Sequence, residues 1–173
     1  MTTQADYTAG EWDLILQAPA LASLFIIQSG SYNRIAVARK LFAALAVITE
    51  TAPHGPDTEL IQAVSAAMRA GQAPRQPIAH PHDLAAARHW VLEHCRALAA
   101  LLAQKVPEAE AEAFTRWLIR IGQRVALADD LIGQPMSRVA EAQMRTSLAL
   151  EMLTAALTIP FGVRAGISVD RCA

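Results

Sequence analysis

The sequence predicts an all-α protein, a five- or six-helix bundle whose first helix is kinked by a proline. Three observations carry that prediction. Apolar residues recur at helical spacing along most of the chain, and no segment alternates with period two. The 173 residues include 36 alanines, and alanine has the best intrinsic helix propensity. Start and stop signals such as TAGE, Gly71 and Pro107 divide the chain into helix-sized pieces.

The first helix opens on TAGE, Thr8 to Glu11, a capping-box pattern in which Thr8 and Glu11 satisfy orphan amides. It continues through EWDLILQAPALASLFIIQ to about Gln28, where Ser29, Gly30 and Ser31 stop it. Pro19 lies in its middle. A proline there removes one amide donor and clashes with the carbonyl four residues back, that of Ile15. The cost is about 3 kcal/mol or more in an exposed interior. Two readings compete. Either the kink lets both halves wrap a round core and packing compensates, or the freed Ile15 carbonyl faces a cavity. No charged side chain accompanies Pro19 to support the second reading.

The second helix is expected from about Tyr32 to Thr51. Its stretch LFAALAVI, Leu41 to Ile48, is apolar all round, which predicts a central helix with neighbours on every side. The third helix runs from Asp57 to Ala70 and Gly71 closes it. QAPRQPIAHPH, Gln72 to His82, is a proline-punctuated connector. The fourth helix follows, from about His82 to Lys105. Pro107 opens the fifth, and Glu108, Glu110 and Glu112 suit its positive end. That helix sets Phe114, Trp117, Leu118, Ile121, Val125 and Ala128 on one face and runs to about Asp130. LIGQP, Leu131 to Pro135, reads as a turn. Ser137 reads as the cap of a sixth helix ending near Thr158. Residues 1–160 form one domain in this reading. The tail 161–173, FGVRAGISVDRCA, has no clear pattern.

Composition narrows the function classes. The net charge is −1 and the only lysines are Lys40 and Lys105, so no bulk electrostatic footprint for nucleic acid exists. The opening MTTQADYTAG has no apolar stretch of the signal-peptide kind. No uninterrupted apolar run of membrane-spanning length occurs, so no membrane span is expected. Cys95 and Cys172 lie far apart, which predicts reduced thiols and a cytoplasmic protein.

EWDLILQAP (Glu11 to Pro19), FTRWLIRIGQRVALA (Phe114 to Ala128) and MSRVAE (Met136 to Glu141) resemble segments of an uncharacterised family of small bacterial all-helical proteins. The resemblance covers about half the chain. The turn from Leu131 to Pro135 departs from that family in having fewer glycines, and the tail after Pro160 is additional. The resemblance implies an all-α fold and carries no activity and no functional residues.

Two constellations could carry chemistry. His80 and His82 in the connector, with His89 and Glu93 at i, i+4 on helix four, could assemble a nitrogen and oxygen metal site. The bland reading makes His89 and Glu93 a solvated face and His94 a core-edge histidine bonded to a backbone or side-chain acceptor. Arg116, Arg120 and Arg124 form a row at i, i+4 that could hold an anion or an acidic partner. Against that, Glu112 and acids from adjacent elements would neutralise the row in a solvated face. Cys95 adjoins His94, but helix neighbours point about 100° apart and do not pair as nucleophile and base. Asp129 and Asp130 lack a second acidic cluster to complete a Mg²⁺ site. No phosphate loop, dinucleotide fingerprint or nucleophile elbow occurs.

More apolar faces exist than one chain of this size can bury alone. The expectation is therefore a homodimer through helices one or six, acting as a non-catalytic interaction or accessory protein without cofactors. One alternative is a carrier of a hydrophobic small molecule between helices one, two and six. A second is a metal-dependent enzyme using His80, His82, His89 and Glu93.

Overall fold

A computed structural model describes residues 4–29, 34–50, 55, 57–73, 83–128 and 135–158. Among these, a short 3-10 helix, Gln4–Asp6, precedes six α-helices and there is no strand. The helices are α1 (Ala9–Ile27), α2 (Arg34–Thr49), α3 (Glu59–Arg69), α4 (Leu84–Lys105), α5 (Glu108–Leu127) and α6 (Met136–Leu157). The fold is the all-α bundle that the apolar periodicity predicts. The expected tail 161–173 and the connector from 74 to 82 lie outside the described residues.

α1 is the axis of the bundle and packs against α2, α3, α4, α5 and α6. It is buried on almost every side, including Ile15, Leu16, Leu21, Ala22, Phe25 and Ile26. The TAGE box forms as read: Glu11 N–H donates to Thr8 Oγ1 at 3.3 Å and Thr8 N–H to Glu11 Oε2 at 2.7 Å. The helix continues through Pro19, which is buried. Ser23 Oγ donates to the Pro19 carbonyl at 2.7 Å. Ile15 is fully buried, so its surroundings favour the packing account of the proline. By length and composition α1 could cross a membrane, but 72% of that stretch is buried inside the bundle.

Burial corrects the reading of α2 as a central helix. Ile35, Leu41, Phe42 and Leu45 are exposed, while Ala36, Lys40, Ala44, Val47 and Ile48 face inward. The physical reason is that α1 already occupies the centre. An all-round apolar pattern marks a helix that avoids water, and cannot say whether the same chain or another molecule covers it.

The remaining helices are set by their ends. α3 starts at Thr58, whose side chain makes no capping bond. Instead Glu110 of α5, itself buried, accepts the Leu60 amide at 2.8 Å. The positive end of α3 thus receives a carboxylate from another helix. At the far end Gly71 takes φ +74, its amide donates to Met68 O, and the Gln72 amide donates to Ala67 O. This paired closure requires a left-handed residue, which glycine supplies.

Asp83 caps α4 by accepting from the amides of Ala85 and Ala86. α4 runs antiparallel to α1 and is tied to it at both ends: Lys105 Nζ to Glu11 Oε2 at 2.8 Å, and Arg88 Nη2 to Ser29 Oγ at 2.6 Å. On α5 the inward face is Phe114, Trp117, Leu118, Ile121 and Val125, as the spacing requires. Gly122 sits where α5 meets α6 and α1; a methyl group there would lie 3.2 Å from Leu153 and 3.5 Å from Ile26. Pro135, with φ −57 and ψ 142, is the residue before α6, so Ser137 falls inside its first turn and does not cap it. Pro107 likewise stands one residue ahead of α5, outside its first turn.

Two measurements test this frame. Glu110→Ala leaves the Leu60 amide orphaned and should lower unfolding free energy in urea by about 1.5–3 kcal/mol, whereas exposed Glu108→Ala should stay within about 0.5 kcal/mol of wild type. The hydrogen bond from Lys105, with those from Thr8, lowers the Glu11 carboxyl from 4.5 to about 2. A carboxyl depressed by folding contributes stability above its unfolded value and loses it as pH falls. The melting-temperature gap between wild type and Glu11→Gln should therefore hold at neutral pH and close as pH falls from 4.5 to about 2.

Candidate functional site

The most unusual surface is the outer side of α2. Ile35, Ala38, Phe42, Leu45 and Thr49 follow one another at spacings of three and four, and all are exposed. That is the a/d repeat of a coiled-coil seam, two heptads long. Phe42 is 73% exposed and Ile35 61%. The buried Lys40 leaves Arg39 as the charged side chain described on the outer half of this helix. A second exposed apolar row runs along α6 at steps of eight and then four residues: Met136, Met144, Leu148 and Met152. There an exposed Glu141–Arg145 pair at 3.9 Å lies beside the row.

An open groove of about 460 Å³ lies between α1 and α4. Its walls are Gly10, Asp13, Leu14 and Gln17 from α1 and Glu93, His94 and Ala97 from α4. Helical spacing explains the α1 set, since 10, 13, 14 and 17 share one face. Asp13 and Gln17 are both buried within it. His94 Nδ1 lies 2.8 Å from the Trp90 carbonyl. A carbonyl only accepts, so Nδ1–H is the donor in this contact. The His94 ring also packs against Trp90, tilted by 43° with centroids 3.8 Å apart. Glu93, at the rim, is held by Arg96.

The residues singled out in the sequence fall as follows. His89 and Glu93 stand 3.9 Å apart on an exposed face of α4. His80 and His82 lie outside the described residues, as do Asp129 and Asp130. Among the described residues, no group of three or more His, Cys, Asp or Glu side chains gathers closely enough to hold a metal ion. Arg120 and Arg124 both approach Glu50, at 4.0 and 3.4 Å, while Arg116 Nε donates to the Glu112 carbonyl. The row is exposed, and one carboxylate just past the end of α2 faces two of its three cations.

Two polar placements escaped the sequence reading. Asp13 and Gln17 look like the start of a polar stripe on α1, and nothing in the spacing sets His94 of α4 against them. Glu110 looks like one of three acids at a helix start, yet it alone turns into the core to meet α3. No family model matches the chain, and no curated protein or solved structure matches it.

Cys95 is buried, and burial pushes its thiol up to about 12, against a smaller opposing pull from Arg96. A thiol so placed is a packing group with a negligible thiolate population at neutral pH. In a Cys172→Ser variant, Ellman's reagent at pH 8 should find no reactive thiol in the native protein and one after denaturation.

Proposed function

We propose that this protein is a non-catalytic interaction protein that self-associates through the outer face of α2. The observation that carries the reading is the exposed heptad row Ile35, Ala38, Phe42, Leu45 and Thr49. A two-heptad apolar row in water loses hydrophobic stabilisation until another helix covers it. The 3.5-residue period is the one that lets a second helix pack alongside with knobs in holes. A second copy of the same helix supplies that surface without any further component, and a two-fold contact uses one patch twice. The net charge of −1 opposes such association only weakly.

On this proposal the interface lies on α2. α1, one of the two helices expected to form it, is spent on the interior of its own chain. A small-molecule carrier would need room beside Pro19, where Ile15, Leu21 and Phe25 instead pack the centre. A metal-dependent enzyme would need a donor set beyond the exposed pair His89 and Glu93.

Analytical ultracentrifugation tests the reading. Wild type should sediment at twice the 18.6 kDa chain mass. Phe42→Glu should weaken dimerisation by at least tenfold with an unchanged helical circular dichroism spectrum. Met144→Glu on α6 should leave the dimer intact. Wild-type protein that stays at 18.6 kDa across micromolar to millimolar concentration overturns it.

A further inference from the structure

The exposed row of α2 has a size pattern as well as a period. Ile35, Phe42 and Leu45 are large, and Ala38 between them is small. In a parallel pair of helices each residue meets its own copy. Ala38 would then face Ala38 and Phe42 face Phe42 one turn further on. No single spacing between the two axes fills such a thin layer beside such a thick one. In an antiparallel pair about a two-fold axis, residue i meets j and j meets i. With that axis level with Lys40, Ala38 meets Phe42 of the second copy and Ile35 meets Leu45. The layers then become far more even in volume, and small faces large as a packed seam requires. Charge follows the same direction. The first half of α2 carries Arg34, Arg39 and Lys40 and no acid, while Glu50 stands just past its end.

We infer that two copies pair through α2 in antiparallel orientation, about an axis level with Lys40, with Ala38 of each copy receiving Phe42 of the other. The inference rests on the α2 self-association proposed for this protein and adds its direction and register. Phe42, at 73% exposed, is the anchor, and the gap left by Ala38 is its pocket. Leu41, 49% exposed, lies on one flank of the row beside the axis, where the two copies cover each other. Arg39 lies on the other flank and keeps its charge in water. Glu50 comes about one turn ahead of the second copy's Arg34, within side-chain reach of the positive end of that helix. A parallel pair would set the two Glu50 carboxylates together and the two positive ends together.

Disulfide trapping reads the direction. Ile35→Cys and Leu45→Cys are made separately in the full-length chain carrying Cys172→Ser, where the remaining Cys95 is buried. Both positions are exposed, so neither change disturbs the bundle. Each variant alone and an equimolar mixture are sedimented, then oxidised with copper phenanthroline and run on a non-reducing gel. The mixture should give at least tenfold more disulfide-linked dimer than either variant alone. Like positions lie about 15 Å apart along the axis in this register, too far for a disulfide. A second variant needs no cysteine: Ala38→Phe fills the pocket for Phe42 and should weaken dimerisation at least tenfold in sedimentation, with an unchanged circular dichroism spectrum. Cross-linking of either cysteine variant by itself, or an Ala38→Phe dimer as tight as wild type, overturns the antiparallel register. So does a dimer by sedimentation that none of the three samples traps. Wild-type protein that sediments as a monomer overturns the α2 reading itself, and this inference with it.

Discussion

The arrangement depends on keeping α1 dry. This helix is apolar on nearly all sides, and a proline in its middle deprives it of one internal hydrogen bond. Neither property is tolerable at a surface. Both become acceptable when α2, α3, α4, α5 and α6 surround it, because packing replaces what the backbone lacks. The other helices need only one inward face each. Their outer faces are therefore free to be polar, as on α5 with Arg116, Arg120 and Arg124, or apolar, as on α2.

Fastening of that axis is polar and sits at its ends. Glu11 shows how one side chain serves two roles: it closes the first turn of α1 and receives Lys105 from the end of α4. Ser29 and Arg88 do the same at the opposite end. Between these ties the two helices leave the groove that contains Asp13. Glu110 acts similarly between α5 and α3. Each tie joins the end of one helix to a different helix, so the orientation of the elements is specified by directed bonds, and the apolar core supplies their attraction.

What could be read from the residues follows this division. Period, caps and stops are local, so six helices, the TAGE box and the closing role of Gly71 were legible. The inward face of α5 was legible for the same reason. Which helix stands at the centre was not. LFAALAVI in α2 and LASLFII in α1 look alike, and only the three-dimensional competition for the interior separates them. Glu110 was beyond reach because its partner, the Leu60 amide, lies on another helix, and so was the groove that Asp13 and His94 line from two different helices. The candidate metal set shows the converse: His89 and Glu93 are neighbours by spacing, but spacing alone says nothing about a third ligand.

The central position of α1 also bears on how the chain is made. α1 leaves the ribosome before every helix that covers it, and α6 comes last. At typical synthesis rates that interval is on the order of ten seconds. For that time the most water-averse helix of the protein has no complete shelter. An isolated helix of this length is marginal in water, so the nascent segment is a stretch of apolar chain open to chaperones and to its own kind. A bundle built around its first helix thus carries its greatest aggregation hazard during its own synthesis, before the folded state exists to hide it.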